Sequence, residues 1–143
     1  MIVVADASVA LKWFLANSPQ EDDSAAALAI LEGAVQGRIQ LLQPVHFVAE
    51  VAAVLARLKP REARVDLMNL LAIEQRTLDS PEVYIAAVSL ATTLGQHVFD
   101  TLYHALALLT PGAMLVTADH RYFAKARHLG QIITLADFVE ESP

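Results

Sequence analysis

The chain has 143 residues, of which 55% are hydrophobic, 6% aromatic and 18% charged; its formal net charge is −6 and it has no cysteine. That length suits one domain over residues 1–143, and the apolar content excludes a disordered chain. The missing thiols exclude disulfides, thiolate zinc centres and cysteine nucleophiles, and the acidic balance argues against a generic basic nucleic-acid coat.

Met1-Ile2-Val3-Val4-Ala5 is a short apolar, β-branched run and reads as a buried parallel strand. Asp6-Ala7-Ser8 breaks it, and Val9 to Leu15 reads as a short helix. This apolar start lacks the basic leading region of a secretory signal and is interrupted by Asp6 and Lys12. No stretch reaches the roughly 20 uninterrupted apolar residues of a membrane span, so a soluble cytoplasmic protein is expected. Asn17-Ser18-Pro19 is a loop, and Glu21 to Val35 a helix whose early acids suit its dipole and which Gly37 closes. Ile39-Gln40-Leu41-Leu42 is a second strand candidate.

Pro44 opens a helix that runs to about Leu58, where Pro60 stops it, and a further helix covers Arg61 to Glu74. Thr77-Leu78-Asp79 is a weak strand candidate, and Ser80-Pro81-Glu82 starts a helix ending near Gly95. His97-Val98-Phe99-Asp100 reads as a brief extended link before a helix from Thr101 to Leu109. Pro111-Gly112 turns the chain into the strand Ala113-Met114-Leu115-Val116. Thr117-Ala118-Asp119 leads into a helix ending at Gly130; Ile132-Ile133-Thr134 is a last strand and Leu135 to Val139 a terminal turn. Strands alternating with helices, without hairpin signals, predict an α/β domain with a parallel sheet.

Functional groups of open parallel sheets gather beyond the carboxyl ends of the strands. Asp6 stands there after the first strand, and Asp119 after Thr117-Ala118. Asp100 follows the short extended link and opens a helix, so its carboxylate belongs at the same rim. Each of the three also precedes a helix, where Asp is a favoured N-cap worth about 1 kcal/mol. Glu50 is different, because it lies inside a helix on one stripe with Phe47, Val51, Val54 and Leu58. A carboxylate among core residues needs a partner or an outlet to water.

Val3-Val4-Ala5-Asp6-Ala7-Ser8-Val9, Glu50 in its apolar helix, Phe99-Asp100-Thr101-Leu102-Tyr103-His104-Ala105-Leu106-Ala107 and Leu115-Val116-Thr117-Ala118-Asp119 together resemble the PIN-domain nucleases. The likeness is greatest to the VapC-type toxins of toxin–antitoxin pairs. It covers nearly the whole chain in order, and one local departure is Thr101, where Ala is common after the third acid. The resemblance implies a three-layer α/β/α sandwich around a mainly parallel sheet of about five strands. It also implies a Mg²⁺- or Mn²⁺-dependent ribonuclease, often dimeric and held inactive by a cognate antitoxin. Asp6, Glu50, Asp100 and Asp119 match the family's acidic metal-binding quartet, and Thr117 its hydroxyl position.

Elementary electrostatics points the same way. Two carboxylates about 4 Å apart repel by roughly 4 kcal/mol at an effective dielectric near 20, so such a cluster needs a cation or protons. Hard oxygen ligands favour Mg²⁺ or Mn²⁺, which draw in a phosphate, acidify water and stabilise a leaving oxygen. Asp6 and Asp100 are assigned as direct ligands, and Asp119 as a ligand or the holder of a coordinated water. Glu50 is assigned to a second ion or to the attacking water, and Thr117 to a carboxylate or phosphate oxygen. Ser8 reads as a helix-start residue rather than a nucleophile, since no His–Asp relay accompanies it.

Three other readings compete. His46 and Glu50, with Asp100 and His104, are spaced for a zinc site of a metallohydrolase, which leaves Asp6 and Asp119 unexplained. A non-catalytic binding module has no need of mutually repelling charges. A phosphate-accepting receiver wants an adjacent acidic pair after a strand and a Lys on a late strand, and neither is found at the predicted strands.

The basic clusters Arg57, Lys59, Arg61, Arg64 and Arg121, Lys125, Arg127 read as solvated helix faces. Lys12 and Arg121 follow site acids closely enough to be candidates for RNA phosphate contacts. The segment Ala25 to Leu58 is rich in Ala, Val and Leu, which serves either core packing or a face for a second copy or an antitoxin helix. No aromatic stacking platform for RNA bases is evident in the sequence.

Overall fold

Ile2-Val3-Val4-Ala5 forms strand β1 (Ile2–Ala5), and Val3, Val4 and Ala5 are fully buried. A strand apolar on both faces belongs inside a parallel sheet covered on both sides. The computed structural model describes residues 1–15 and 22–138, and in it β1 is the central strand of a five-stranded sheet. The other strands are β2 (Gln40–Gln43), β3 (Gln75–Thr77), β4 (Ala113–Thr117) and β5 (Ile132–Thr134), in the order β3-β2-β1-β4-β5. Every neighbouring pair is parallel, and β1 pairs with β4 from Ile2↔Ala113 to Ala5↔Val116.

Between β1 and β2 lie α1 (Ala7–Leu15) and α2 (Ser24–Val35); between β2 and β3 lie α3 (Phe47–Leu58) and α4 (Ala63–Ala72). The return to β4 carries α5 (Pro81–Leu94) and α6 (Val98–Leu109), and α7 (His120–Ala126) precedes β5. The chain thus runs outward from β1 to β3, then crosses back past β1 to β4 and β5. Because crossovers are right-handed, that reversal sends α1 to α4 to one face and α5 to α7 to the other. The packing agrees: α1 meets α2 and α3, α3 meets α4, α5 lies on α6, α6 on β1 and β4, and α7 on β5. The architecture is a three-layer α/β/α sandwich whose sheet is wholly parallel.

Ile30, Val51, Leu55 and Leu70 fill one side of the sheet, and Leu102 and Leu106 the other; all are buried. Each such side chain contributes about 1.5–3 kcal/mol by leaving water. Trp13 Nε1 donates to the Ala27 carbonyl at 2.8 Å and fastens α1 to α2. Pro81 at the first turn of α5 and Gly95 at its end, with φ 65°, delimit that helix as the sequence predicts. Gln131, held at φ 52°, places its side-chain amide 2.7–3.1 Å from the carbonyls of Ala107, Thr110 and Ala113. It thereby caps the end of α6 and the start of β4.

The structure departs from the sequence reading in several places. The link 97–100 is not extended: α6 begins at Val98, with His97 as its cap and Asp100 in its first turn. The locally strand-prone Val98-Phe99 pair yields to tertiary docking, since the buried Thr101 hydroxyl donates to the Ala87 carbonyl of α5 at 2.7 Å. β3 comes two residues earlier than the predicted 77–79. α7 stops at Ala126, and a 3₁₀ turn (Arg127–Leu129) leads to Gly130. Leu58 is 53% exposed, so the buried stripe of α3 is Phe47, Val51 and Leu55.

The predicted loop at 17–19, the helix start at Glu21 and the end of the terminal turn at Val139 lie outside the described residues. Much of the unburied apolar surface is not on the Ala25–Leu58 segment but on α4 (Val65, Met68, Leu71) and α5 (Ile85, Val88). Among the described residues no helix is long and apolar enough to cross a membrane.

Candidate active site

β1 and β4 are the neighbours at which the chain reverses its direction across the sheet, and the crevice beyond their carboxyl ends is the natural place for a site. Asp6 follows β1 and extends the ladder, its N–H donating to the Val116 carbonyl at 3.3 Å. Asp6 Oδ1 accepts from the Ser8 N–H at 2.9 Å and from the Ser8 hydroxyl, an arrangement that caps α1. Asp6 Oδ2 accepts from Thr117 Oγ1 at 2.5 Å. Ser8 Oγ accepts from the Ala118 N–H, and Thr117 Oγ1 from the Asp119 N–H, each at 3.0 Å. Asp119 completes the frame as the N-cap of α7, its Oδ1 accepting from the Tyr122 N–H at 3.0 Å.

Burial pushes the Asp6 carboxyl up to about 6, against the opposing effect of its Ser8 and Thr117 donors. Asp100 is also raised, first by burial and then by the charges of Glu50 and Asp119. Gln96 Nε2 donates to Asp100 Oδ2 at 3.3 Å, and Lys125 Nζ of α7 donates to Gln96 Oε1 at 2.7 Å. The Tyr122 hydroxyl is pushed up by burial and by Asp100, Asp6 and Asp119 together. Asp6, Thr117 and Asp119 thus share one hydrogen-bonded frame beyond β1 and β4, and the charges of Glu50 and Asp119 both act on Asp100.

Glu50 sits in the first turn of α3, and its charge acts on Asp100 in the first turn of α6. Tyr103 Oη of α6 donates to Glu50 Oε2 at 3.2 Å, and burial followed by the Glu50 charge raises that hydroxyl. His46 Nε2 lies 3.2 Å from the same Glu50 oxygen and 2.8 Å from the Phe99 carbonyl. A carbonyl only accepts, so this nitrogen carries a hydrogen. His46 Nδ1 and the side-chain amide of Gln43, at the end of β2, are buried without a partner among the described residues.

The four residues of the zinc reading do not converge. His104 is fully buried, Nδ1 accepting from Tyr122 Oη and Nε2 donating to the Gly130 carbonyl, both at 2.9 Å. Burial lowers its pKa, so it is a neutral brace with both ring nitrogens occupied. Among the described residues no three His, Asp or Glu side chains stand close enough to hold a metal ion unaided. Of the basic candidates, Lys12 is largely buried, Arg121 is exposed, and Lys59 is tied to Asp66 at 2.8 Å and the Phe14 carbonyl at 2.9 Å.

Sequence reasoning missed Tyr103, Gln96 and the tie that Ser8 makes to β4. Tyr103 is spaced three residues after Asp100, which places both on one helix face and is a usable signal. Nothing in the sequence marks Gln96.

Comparison with known proteins bears on the fold and the family. The structure is similar to that of VapBC-1 from nontypeable Haemophilus influenzae, with a TM-score of 0.61 and 16% identity over 96% of this chain and 100% of that one. It is equally similar, at 0.61 and 18% identity over 94% and 97%, to VapBC2 from Rickettsia felis, determined bound to a DNA fragment from their promoter. No curated protein matches by sequence. The PIN domain model matches residues 3–129, which take in every strand except β5 and all the acids of the rim. On that match the chain belongs to the PIN domain family.

Proposed function

We propose that this chain is a Mg²⁺- or Mn²⁺-dependent endoribonuclease and the toxin half of a toxin–antitoxin pair. In this reading Asp6, Glu50, Asp100 and Asp119 are the metal-holding and catalytic acids, with Thr117 beside them. The observation that carries it is the hydrogen-bonded frame beyond the carboxyl ends of β1 and β4, in which Thr117 Oγ1 donates to Asp6 Oδ2 at 2.5 Å and accepts from the Asp119 N–H at 3.0 Å. Membership of the PIN family supports the nuclease class, and the likeness to VapBC structures supports an antitoxin partner.

The donor set fits a hard cation. It offers oxygen only, and the raised carboxyls of Asp6 and Asp100 mark a place that gains by taking up positive charge. Bound there, Mg²⁺ or Mn²⁺ supplies charge to offset the phosphate and makes water more acidic. Asp6 and Asp100 would hold the ion, and Asp119 and Glu50 would be further donors whose side chains have to move toward it, since among the described residues no three of these groups stand within reach of one ion. Thr117 and Ser8 fix the orientation of the Asp6 carboxylate. Tyr103 and His46 both engage Glu50 Oε2, which leaves Oε1 to take the proton of the attacking water. As the water oxygen bonds to phosphorus, the ester P–O bond breaks, and the leaving oxygen takes a proton from solvent to depart as a hydroxyl.

The same reading makes residues 1–143 one cytoplasmic domain acting as a homodimer. Val65, Met68 and Leu71 on α4, and Ile85 and Val88 on α5, leave apolar side chains open to a protein contact on either face.

The test is cleavage of end-labelled cellular RNA by purified protein with Mg²⁺ or Mn²⁺, with Asp100→Asn and excess EDTA as controls. Loss of cutting in both controls is the expected result, and full activity in either refutes the assignment. Toxicity on expression, relieved by a small neighbouring gene, tests the pairing with an antitoxin.

A further inference from the structure

Phe99 keeps 62% of its surface open to water although it stands next to Asp100 in the first turn of α6. Its ring stacks on that of His46, with centroids 5.4 Å apart and planes inclined by 25°. Beneath, the His46 ring lies 4.7 Å from Tyr103, and Tyr103 meets Phe47 edge-on at 6.5 Å. Tyr103 and Phe47 are both buried in the core. Phe99 is therefore the outermost member of a ladder of four rings, fixed before anything binds. The ladder also touches the acid rim, because His46 Nε2 reaches Glu50 Oε2 at 3.2 Å.

We infer that Phe99, backed by His46, is a stacking site for an unpaired base of the nucleic-acid strand that the acid rim cuts. This rests on the nuclease reading above. A polyanion approaching a carboxylate rim meets repulsion, and attraction that does not depend on basic groups is valuable there. A nucleobase is flat and neutral, so Glu50 and Asp100 beside the ring do not repel it as they repel a phosphate or a partner's carboxylate. Every base offers a π face, so the site selects single strands over duplexes and is tolerant of base identity. A preset ring also loses little conformational freedom on binding.

Two variants test this. In Mg²⁺-dependent cleavage of a short single-stranded RNA of mixed sequence, Phe99→Ala raises KM about 10-fold, the loss of one base–aromatic stack, and changes kcat less. Phe99→Trp restores KM. Its exposed indole emission is quenched by the same single strand without added metal, and much less by that RNA as a duplex. Because Phe99 is exposed, both variants melt near the parent's temperature. A Phe99→Ala KM equal to the parent's, or equal quenching by single strand and duplex, overturns the stacking site while the parent's cutting leaves the nuclease reading standing. If the parent cuts no RNA with any divalent ion, both readings fall. A Phe99→Ala protein whose KM is unaltered but whose mass in solution changes assigns the ring to a protein contact instead.

Discussion

Thr117 Oγ1 donates to Asp6 Oδ2 across 2.5 Å, so the last residue of β4 holds the first acid of the chain in place. Thr117→Val keeps the shape and removes the donor, and it also frees the Asp119 N–H that bonds the same hydroxyl at 3.0 Å. A hydrogen bond to a charged group is worth about 1.5–3 kcal/mol. The expected result is a Mg²⁺ requirement about 10-fold or more higher, with Thr117→Ser close to the parent. A titration of cleavage against Mg²⁺ reads this directly, and an unshifted titration in Thr117→Val contradicts it.

Asp6 moves from its ordinary 3.8 to about 6 on folding, so the folded protein holds this proton more tightly than the unfolded chain. Its contribution to stability is complete below about pH 4 and is lost as pH rises through about 6. Asp100 shifts in the same direction. In EDTA, urea denaturation across that window is expected to show stability falling by on the order of 1 kcal/mol, allowing for the solvent that reaches the carboxylate. Asp6→Asn flattens the profile. Cleavage at limiting Mg²⁺ follows the opposite course, rising through the same window as protons cease to compete with the ion.

Asp100→Asn removes the charge that Glu50 and Asp119 oppose. Cutting is abolished, while metal-free protein melts a few degrees higher than the parent, because 1 kcal/mol moves the midpoint by roughly 4 °C in a domain of this size. Mg²⁺ raises the parent's melting temperature through binding to the folded state and has a smaller effect on this variant. Calorimetry with and without Mg²⁺ separates the two outcomes.

Tyr122→Phe leaves the packed ring in place but deprives buried His104 Nδ1 of its donor at 2.9 Å. An unsatisfied buried polar atom costs about 1–3 kcal/mol, so the urea midpoint falls accordingly. An unchanged midpoint would show that His104 finds another partner.

β1, β4 and β5 were readable because apolar runs rich in Val and Ile and bounded by Gly, Pro and Asp have few other interpretations, whereas β3, the polar Gln75-Arg76-Thr77, lies two residues before the predicted strand. Asp6 and Asp119 were readable from the rule that parallel sheets put function at strand ends. The start of α6 was not, because Val98 and Phe99 favour a strand locally and only the docking of Thr101 on α5 decides otherwise. Glu50 entered through family resemblance and a stripe argument that overestimated Leu58. Tyr103, which meets Glu50 from 53 positions away, became visible only once α3 and α6 were side by side. The Phe99–His46 stack was hidden for the same reason, since no local pattern announces a ring contact between two helices.

The bond from Thr117 to Asp6 spans 111 positions, and that from Ala118 to Ser8 spans 110. A ribosome delivers the chain from its first residue onward, so β1 meets β2 early but waits for β4 through most of translation. During that wait Asp6 has neither the Thr117 hydroxyl nor Asp119 beside it. On the proposed nuclease reading, the acid rim is therefore assembled only after the fourth strand has emerged.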